Sequence, residues 1–147
     1  MKASELRIGN LVTVNNPEHW PLLKNVPLIV EGINKCKPIE SIQNTDYNVQ
    51  LFDNSDFKTR YFATKTFSQF ICFVEPITLD EDWLLRFGFE WKNNGLRNKK
   101  ICIRQLGGAY CLFLSNESLN FEKRFEFVHQ LQNLYFDFVG EELVLQD

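Results

Sequence analysis

Long hydrophobic runs are missing from this sequence. No stretch nears the roughly 18 consecutive apolar residues of a membrane-crossing helix, so no such helix is expected. The opening Met1-Lys2-Ala3-Ser4-Glu5-Leu6-Arg7 carries charge with no apolar segment behind it, which argues against a secretory signal and for a cytoplasmic protein. The four cysteines (Cys36, Cys72, Cys102, Cys111) and two histidines (His19, His129) form no C-x-x-C pair and no metal-ligand spacing. Reduced thiols packed as small hydrophobes are expected instead. Methionine is nearly absent, one residue against fourteen phenylalanines, which points to a core built largely from aromatic rings.

A polybasic surface is missing as well. Of the net charge of −3, residues 1–74 contribute +1 (eight Lys/Arg, seven Asp/Glu) and residues 75–147 contribute −4 (eight against twelve). Tight non-specific binding to nucleic acid therefore lacks an evident electrostatic source. The cluster Arg97, Lys99, Lys100, Arg104 reads first as a solvated strand end. Gly107-Gly108 lies between strand-like segments, without the helix and lysine of a phosphate loop. The carboxylates Asp80-Glu81-Asp82 suit the positive end of a helix dipole, and Glu141-Glu142 a solvated helix exit. A Cys–His pair would need Cys102 or Cys111 within reach of His129, which sequence does not establish; a buried cysteine against Phe113 is the plainer reading. No catalytic residue, metal ligand or cofactor is assigned, and no enzyme is expected.

What is present is an α+β pattern in two halves. Residues 1–76 read as short strands: Arg7 to Val14, Pro27 to Ile33, Asn48 to Phe52, Arg60 to Phe62 and Phe70 to Val74, separated by Asn-, Asp- and Pro-rich breakers. Such spacing predicts a small β-barrel or a strongly bent sheet, and Leu6-x-x-Gly9-x-x-Val12 resembles the first strand of SH3-like barrels. Residues 77–147 read as helix, antiparallel sheet, helix. Thr78 and Glu81 form a capping-box pattern for a helix from Leu79 to Phe87, with Gly88 ending it. Gly107-Gly108 predicts a two-residue hairpin whose paired residue numbers sum to 215. In that register Ile101, Ile103, Tyr110, Leu112 and Leu114 share one face, and Lys100, Cys102, Arg104, Cys111 and Phe113 the other. Trp83 and Trp91 are expected to be buried, welding the halves into one unit. Leu143 to Leu145 reads as a last short strand.

Apolar residues at Val128, Leu131, Leu134, Tyr135, Phe138 and Val139 follow the rhythm of an amphipathic helix, which Gly140 closes. Together with Glu5-Leu6-Arg7-Ile8-Gly9-Asn10-Leu11-Val12, Glu75-Pro76-Ile77-Thr78-Leu79-Asp80-Glu81 and Phe87-Gly88-Phe89, the run from Val128 to Phe136 followed by Gly140-Glu141-Glu142-Leu143 resembles an uncharacterised family of small Bacteroidetes proteins, often found in prophage or mobile-element regions. The resemblance implies a bacterial, intracellular, phage-linked origin and no activity.

Two surfaces are candidates for function. On the final helix His129, Gln132, Asn133 and Phe136 form a strip that is either a solvated helix face or a recognition surface of polar groups around an aromatic anchor. The interaction reading takes a protein partner or a second copy of the chain, docking at Phe136. In the first half Lys58, Arg60, Tyr61 and Lys65 interleave with aromatics, the alternative surface for single-stranded nucleic acid. The favoured function is a non-catalytic protein–protein interaction protein, with nucleic-acid binding as the alternative and no membrane partner.

Overall fold

A computed structural model describes residues 1–16, 18, 20–43, 45–52, 66–93, 95–99, 101–114 and 123–146, with the side chains of Leu22 and Leu114 left aside. They form two compact units, Met1–Ile77 and Thr78–Asp147.

The first unit is an antiparallel sheet of β1 (Leu11–Val14), β2 (Leu28–Lys35), β3 (Tyr47–Phe52), β4 (Thr66–Phe70) and β5 (Val74–Pro76), ordered β4-β3-β2-β1-β5. Alternation selects its core: Leu28 and Val30 from β2 and Val49 and Leu51 from β3 point inward to meet Val12, Val14, Leu6, Ile71 and Val74. That core is aliphatic, against the aromatic one expected, whereas the second unit buries Trp83, Phe87, Phe89, Phe125 and Tyr135. Branched side chains fit the pleat, while Tyr47, Phe67 and Phe73 pack at its margin. Gly9, at φ 92°, lets the chain turn so that its N–H donates to the Val30 carbonyl at 2.8 Å, and the Val30 N–H returns to the Asn10 carbonyl at 2.9 Å. The strand expected from Phe70 to Val74 is interrupted by a 3-10 turn, Ile71–Phe73, which separates β4 from β5. A closed barrel is not found among the described residues: β4 and β5 are the two ends of the sheet and do not pair. The expected strand from Arg60 to Phe62 lies outside the described residues.

The second unit opens with α1 (Glu81–Arg86). Its cap is Asp80, whose Oδ1 accepts from the Trp83 N–H at 3.0 Å, not the expected Thr78. Thr78 is held in extended form by a bridge to Phe127, and the adjoining Leu79 N–H donates to the Glu126 carbonyl at 2.8 Å, so the helix starts later. Its end is a Schellman turn: Gly88, at φ 75°, donates to Leu85 and Phe89 donates to Leu84.

An antiparallel meander follows, β6 (Glu90–Lys92), β7 (Gly95–Asn98), β8 (Ile101–Leu106), β9 (Ala109–Leu114) and β10 (Lys123–Phe125), with neighbours paired in chain order. Gly107 and Gly108 have φ 59° and 86°, the double positive φ that a type I′ turn demands. The register is the expected one, from Leu106 opposite Ala109 to Ile101 opposite Leu114. Gly95 is there for space. A Cβ on it would stand 2.7 Å from the Ile103 carbonyl oxygen. Then α2 (Val128–Val139) closes the unit, its entry fixed by the Gln130 Oε1, which accepts from the N–H groups of Glu126 at 3.0 Å and Phe127 at 3.3 Å just before the helix. Gly140, at φ 77°, ends it in the left-handed conformation. The tail from Leu143 is not a strand. It folds back on α1, with the Gln146 N–H on the Arg86 carbonyl at 2.8 Å.

If Asp80 is the cap, Asp80→Ala lowers the unfolding free energy by about 1 kcal/mol in urea titration. Thr78→Ala then costs clearly less, and the reverse ranking would restore Thr78 as the cap.

Candidate functional site

The strip expected to face solvent on α2 is corrected in half of its members. His129 is 2% exposed and Gln132 3% exposed, while Asn133 and Phe136 are half-buried. The physical reason is that α2 buries a broader arc than its apolar residues alone define. Gln132 reaches the Leu143 carbonyl with its Nε2 at 3.4 Å, and the His129 ring stacks parallel on Phe127 at a centroid distance of 5.9 Å and an angle of 9°. The Gln132 amide, with a carbonyl to bond, goes inside at tolerable desolvation cost; the contact of His129 with Phe127 is through the ring face and gives its two buried nitrogens no hydrogen bond. Phe138, expected on the buried stripe, is exposed in the last turn, past the point where burial stops at Tyr135. The four residues therefore do not make one open surface. The other predicted surface, Lys58, Arg60, Tyr61 and Lys65, lies outside the described residues.

The pairing of the second sheet sorts its remaining side chains into two faces. One carries Trp91, Leu96, Ile103, Gln105, Tyr110 and Leu112; the other carries Arg97, Cys102, Arg104, Cys111, Phe113 and Arg124. Cys102 stands directly opposite Phe113, the packing anticipated from sequence, and both Cys102 and Cys111 are buried free thiols. Arg104 lays its guanidinium over the Phe113 ring, 5.1 Å from the centroid. Arg97 and Arg104, two members of the basic cluster read from sequence, thus join Arg124 on one side of the sheet.

The opposite face meets α1 at its N-terminal end. There Glu81, Trp91, Leu96, Gln105 and Tyr110, joined by Arg104 and Leu106 from the other face of β8, line a cleft of about 370 Å³, the size of a small-ligand or side-chain pocket. Each wall has a local cause. Asp80 fixes the start of α1 and so the position of Glu81; the Trp91–Leu96–Ile103 row comes from the β6–β7–β8 pairing; Gln105 and Tyr110 are a cross-strand pair beside the glycine turn. The Trp91 indole N–H donates to the Glu81 Oε1 at 2.6 Å, a charge-assisted bond that orients both side chains. Tyr110 rests on Phe125, rings stacked at 6.4 Å. Burial pushes the Tyr110 phenol above its ordinary pKa, and the negative charges of Asp80 and Glu81 push it further.

Sequence reasoning placed Trp91 in the interior. It is 59% exposed, whereas Trp83 is buried as expected. The signal was its flanks: Glu90 and Lys92 are exposed too and pair with each other at 2.8 Å, so the whole of β6 is a solvated edge. An exposed tryptophan on an edge strand, held by a carboxylate and bordering a cleft, is the most site-like arrangement among the described residues. No three His, Cys, Asp or Glu side chains among them converge on a metal position, and no helix among them is long and apolar enough to cross a membrane.

No family model, no curated protein and no solved structure matches this chain.

Glu81→Gln removes one of the negative charges beside Tyr110. Ultraviolet titration, with Tyr110→Phe to identify the signal, is expected to show the phenol ionising above the ordinary tyrosine range and shifting downward in the Gln variant. A phenol indifferent to Glu81 would contradict the placement of α1 against this face.

Proposed function

We propose that this is a non-catalytic interaction protein that docks an extended segment of a protein partner along β6, with an anchor in the adjoining cleft. The single observation carrying this reading is Trp91, exposed and held by Glu81 on the edge of a sheet. Among the described residues β6 pairs on one side only, with β7, so its outer side offers backbone donors and acceptors to an added strand. Main-chain bonds then supply affinity, and the cleft selects a side chain. Tryptophans at the centre of such interfaces are the residues whose truncation costs most. Self-association through Phe136 is the weaker version, since His129 and Gln132 lie inside. A phage or mobile-element origin is carried by the resemblance in the terminal and central segments alone. The first unit is read as SH3-like: the strand order β4-β3-β2-β1-β5 and the 3-10 turn before β5 support that arrangement.

A peptide library selected on the intact protein tests the reading. Selected peptides are expected to bind Trp91→Ala weaker by roughly 2 kcal/mol, about thirtyfold in affinity, while urea midpoints match. Undiminished binding to the folded variant would reject β6 and its cleft as the docking site.

Nucleic-acid binding is the second reading, favoured by one specific observation: Arg97, Arg104 and Arg124 share a sheet face with the half-buried Phe113. Its mark is an oligonucleotide affinity that falls steeply with salt and is lost in Arg104→Glu. An affinity flat in salt, or none, would remove it.

A further inference from the structure

We propose that the cleft beside β6 is selective for a cation, the ammonium or guanidinium of a basic side chain on the docked segment. This rests on the docking reading above and adds the chemistry of the anchor.

The walls set the sign. Indole and phenol rings present negative faces to a cation, and the cleft has one of each, Trp91 and Tyr110. Its one carboxylate, Glu81, is anchored by the indole through Oε1, which leaves Oε2 to a ligand. The Tyr110 pKa is raised first by burial and then by the negative charges of Asp80 and Glu81, both of which stand on this side of the cleft.

Two basic residues need to be placed. Arg104 borders the cleft, but its guanidinium is engaged with the Phe113 ring on the other face; it is the Arg104 Cγ, in the stem, that lies near the Gly95 backbone. Lys92 is on β6, paired with Glu90 2.8 Å away and directed with it to the face opposite Trp91. Neither of these two groups therefore neutralises Glu81. The apolar remainder of the wall, Leu96 and Leu106, suits the methylene stem of a lysine or arginine while the charged head meets the rings and carboxylate. An acidic or neutral anchor would meet Glu81 with repulsion or with an unpaired carboxylate.

Choline and its uncharged carbon isostere 3,3-dimethylbutanol separate charge from shape in the intact protein. The readout is the Trp91 indole N–H resonance, assigned with Trp91→Phe, at matched ionic strength. Choline is expected to shift it saturably, with the isostere weaker by about fivefold or more. Glu81→Gln should weaken choline by a similar factor, whereas Glu90→Gln on the other face should leave it unchanged. Equal responses to the two probes, or none to choline, would overturn the cation assignment. Binding of selected peptides that still depends on Trp91 would then preserve the docking reading, and loss of both would remove the two together.

Discussion

The register of the second sheet decides what stands beside what in this protein. Gly107 and Gly108, both at positive φ, close the β8–β9 hairpin with two residues, and a two-residue loop leaves no freedom in the pairing that follows. Gly95 then admits the close approach of β7 to β8, because any Cβ there would press on the Ile103 carbonyl. From these three glycines comes the row Trp91–Leu96–Ile103 and the pair Gln105–Tyr110, hence most of the sheet-borne wall of the cleft. A slip by one residue would exchange the two faces, sending Tyr110 to the arginine side and the cysteines to the helix side.

The faces divide labour. On the side that meets the start of α1, Ile101, Ile103 and Leu112 are buried, and the cleft lies where the six-residue α1 begins. On the other side Cys102 and Cys111 supply small buried volumes, and Arg104 covers Phe113 with its guanidinium. Three side-chain amides bond the backbone: Gln132 to the Leu143 carbonyl, Asn98 to the Phe87 carbonyl at 2.9 Å, and Gln130 to the N–H groups just before α2. The tail closes the arrangement through Gln146 on Arg86, which sets a side chain over Gly88 where any Cβ would collide with it.

How much of this the sequence discloses depends on the range of the cause. The glycine hairpin and its register are local, as are the final helix and Gly140, and all three read correctly. The cap of α1 did not, because Thr78 and Asp80 are both competent caps and the choice turns on a bridge from Thr78 to the distant Phe127. Burial of His129 and Gln132 likewise depends on partners, Phe127 and Leu143, that helical periodicity does not name. Trp91 was misplaced because hydrophobicity argues for the interior, and only its charged neighbours argue for an edge. Of the site itself, sequence supplied Glu81 as a helix-start carboxylate and Tyr110 on the correct face, but not their convergence.

The measurement that most directly tests the central claim is an amide chemical-shift map of the uniformly labelled wild-type protein with a library-selected peptide. The account predicts perturbations centred on Glu90, Trp91 and Lys92, on the Trp91 indole N–H and on Gln105 to Tyr110. Perturbations centred on residues 132–138 of α2, or on Arg97, Arg104 and Arg124, would contradict it.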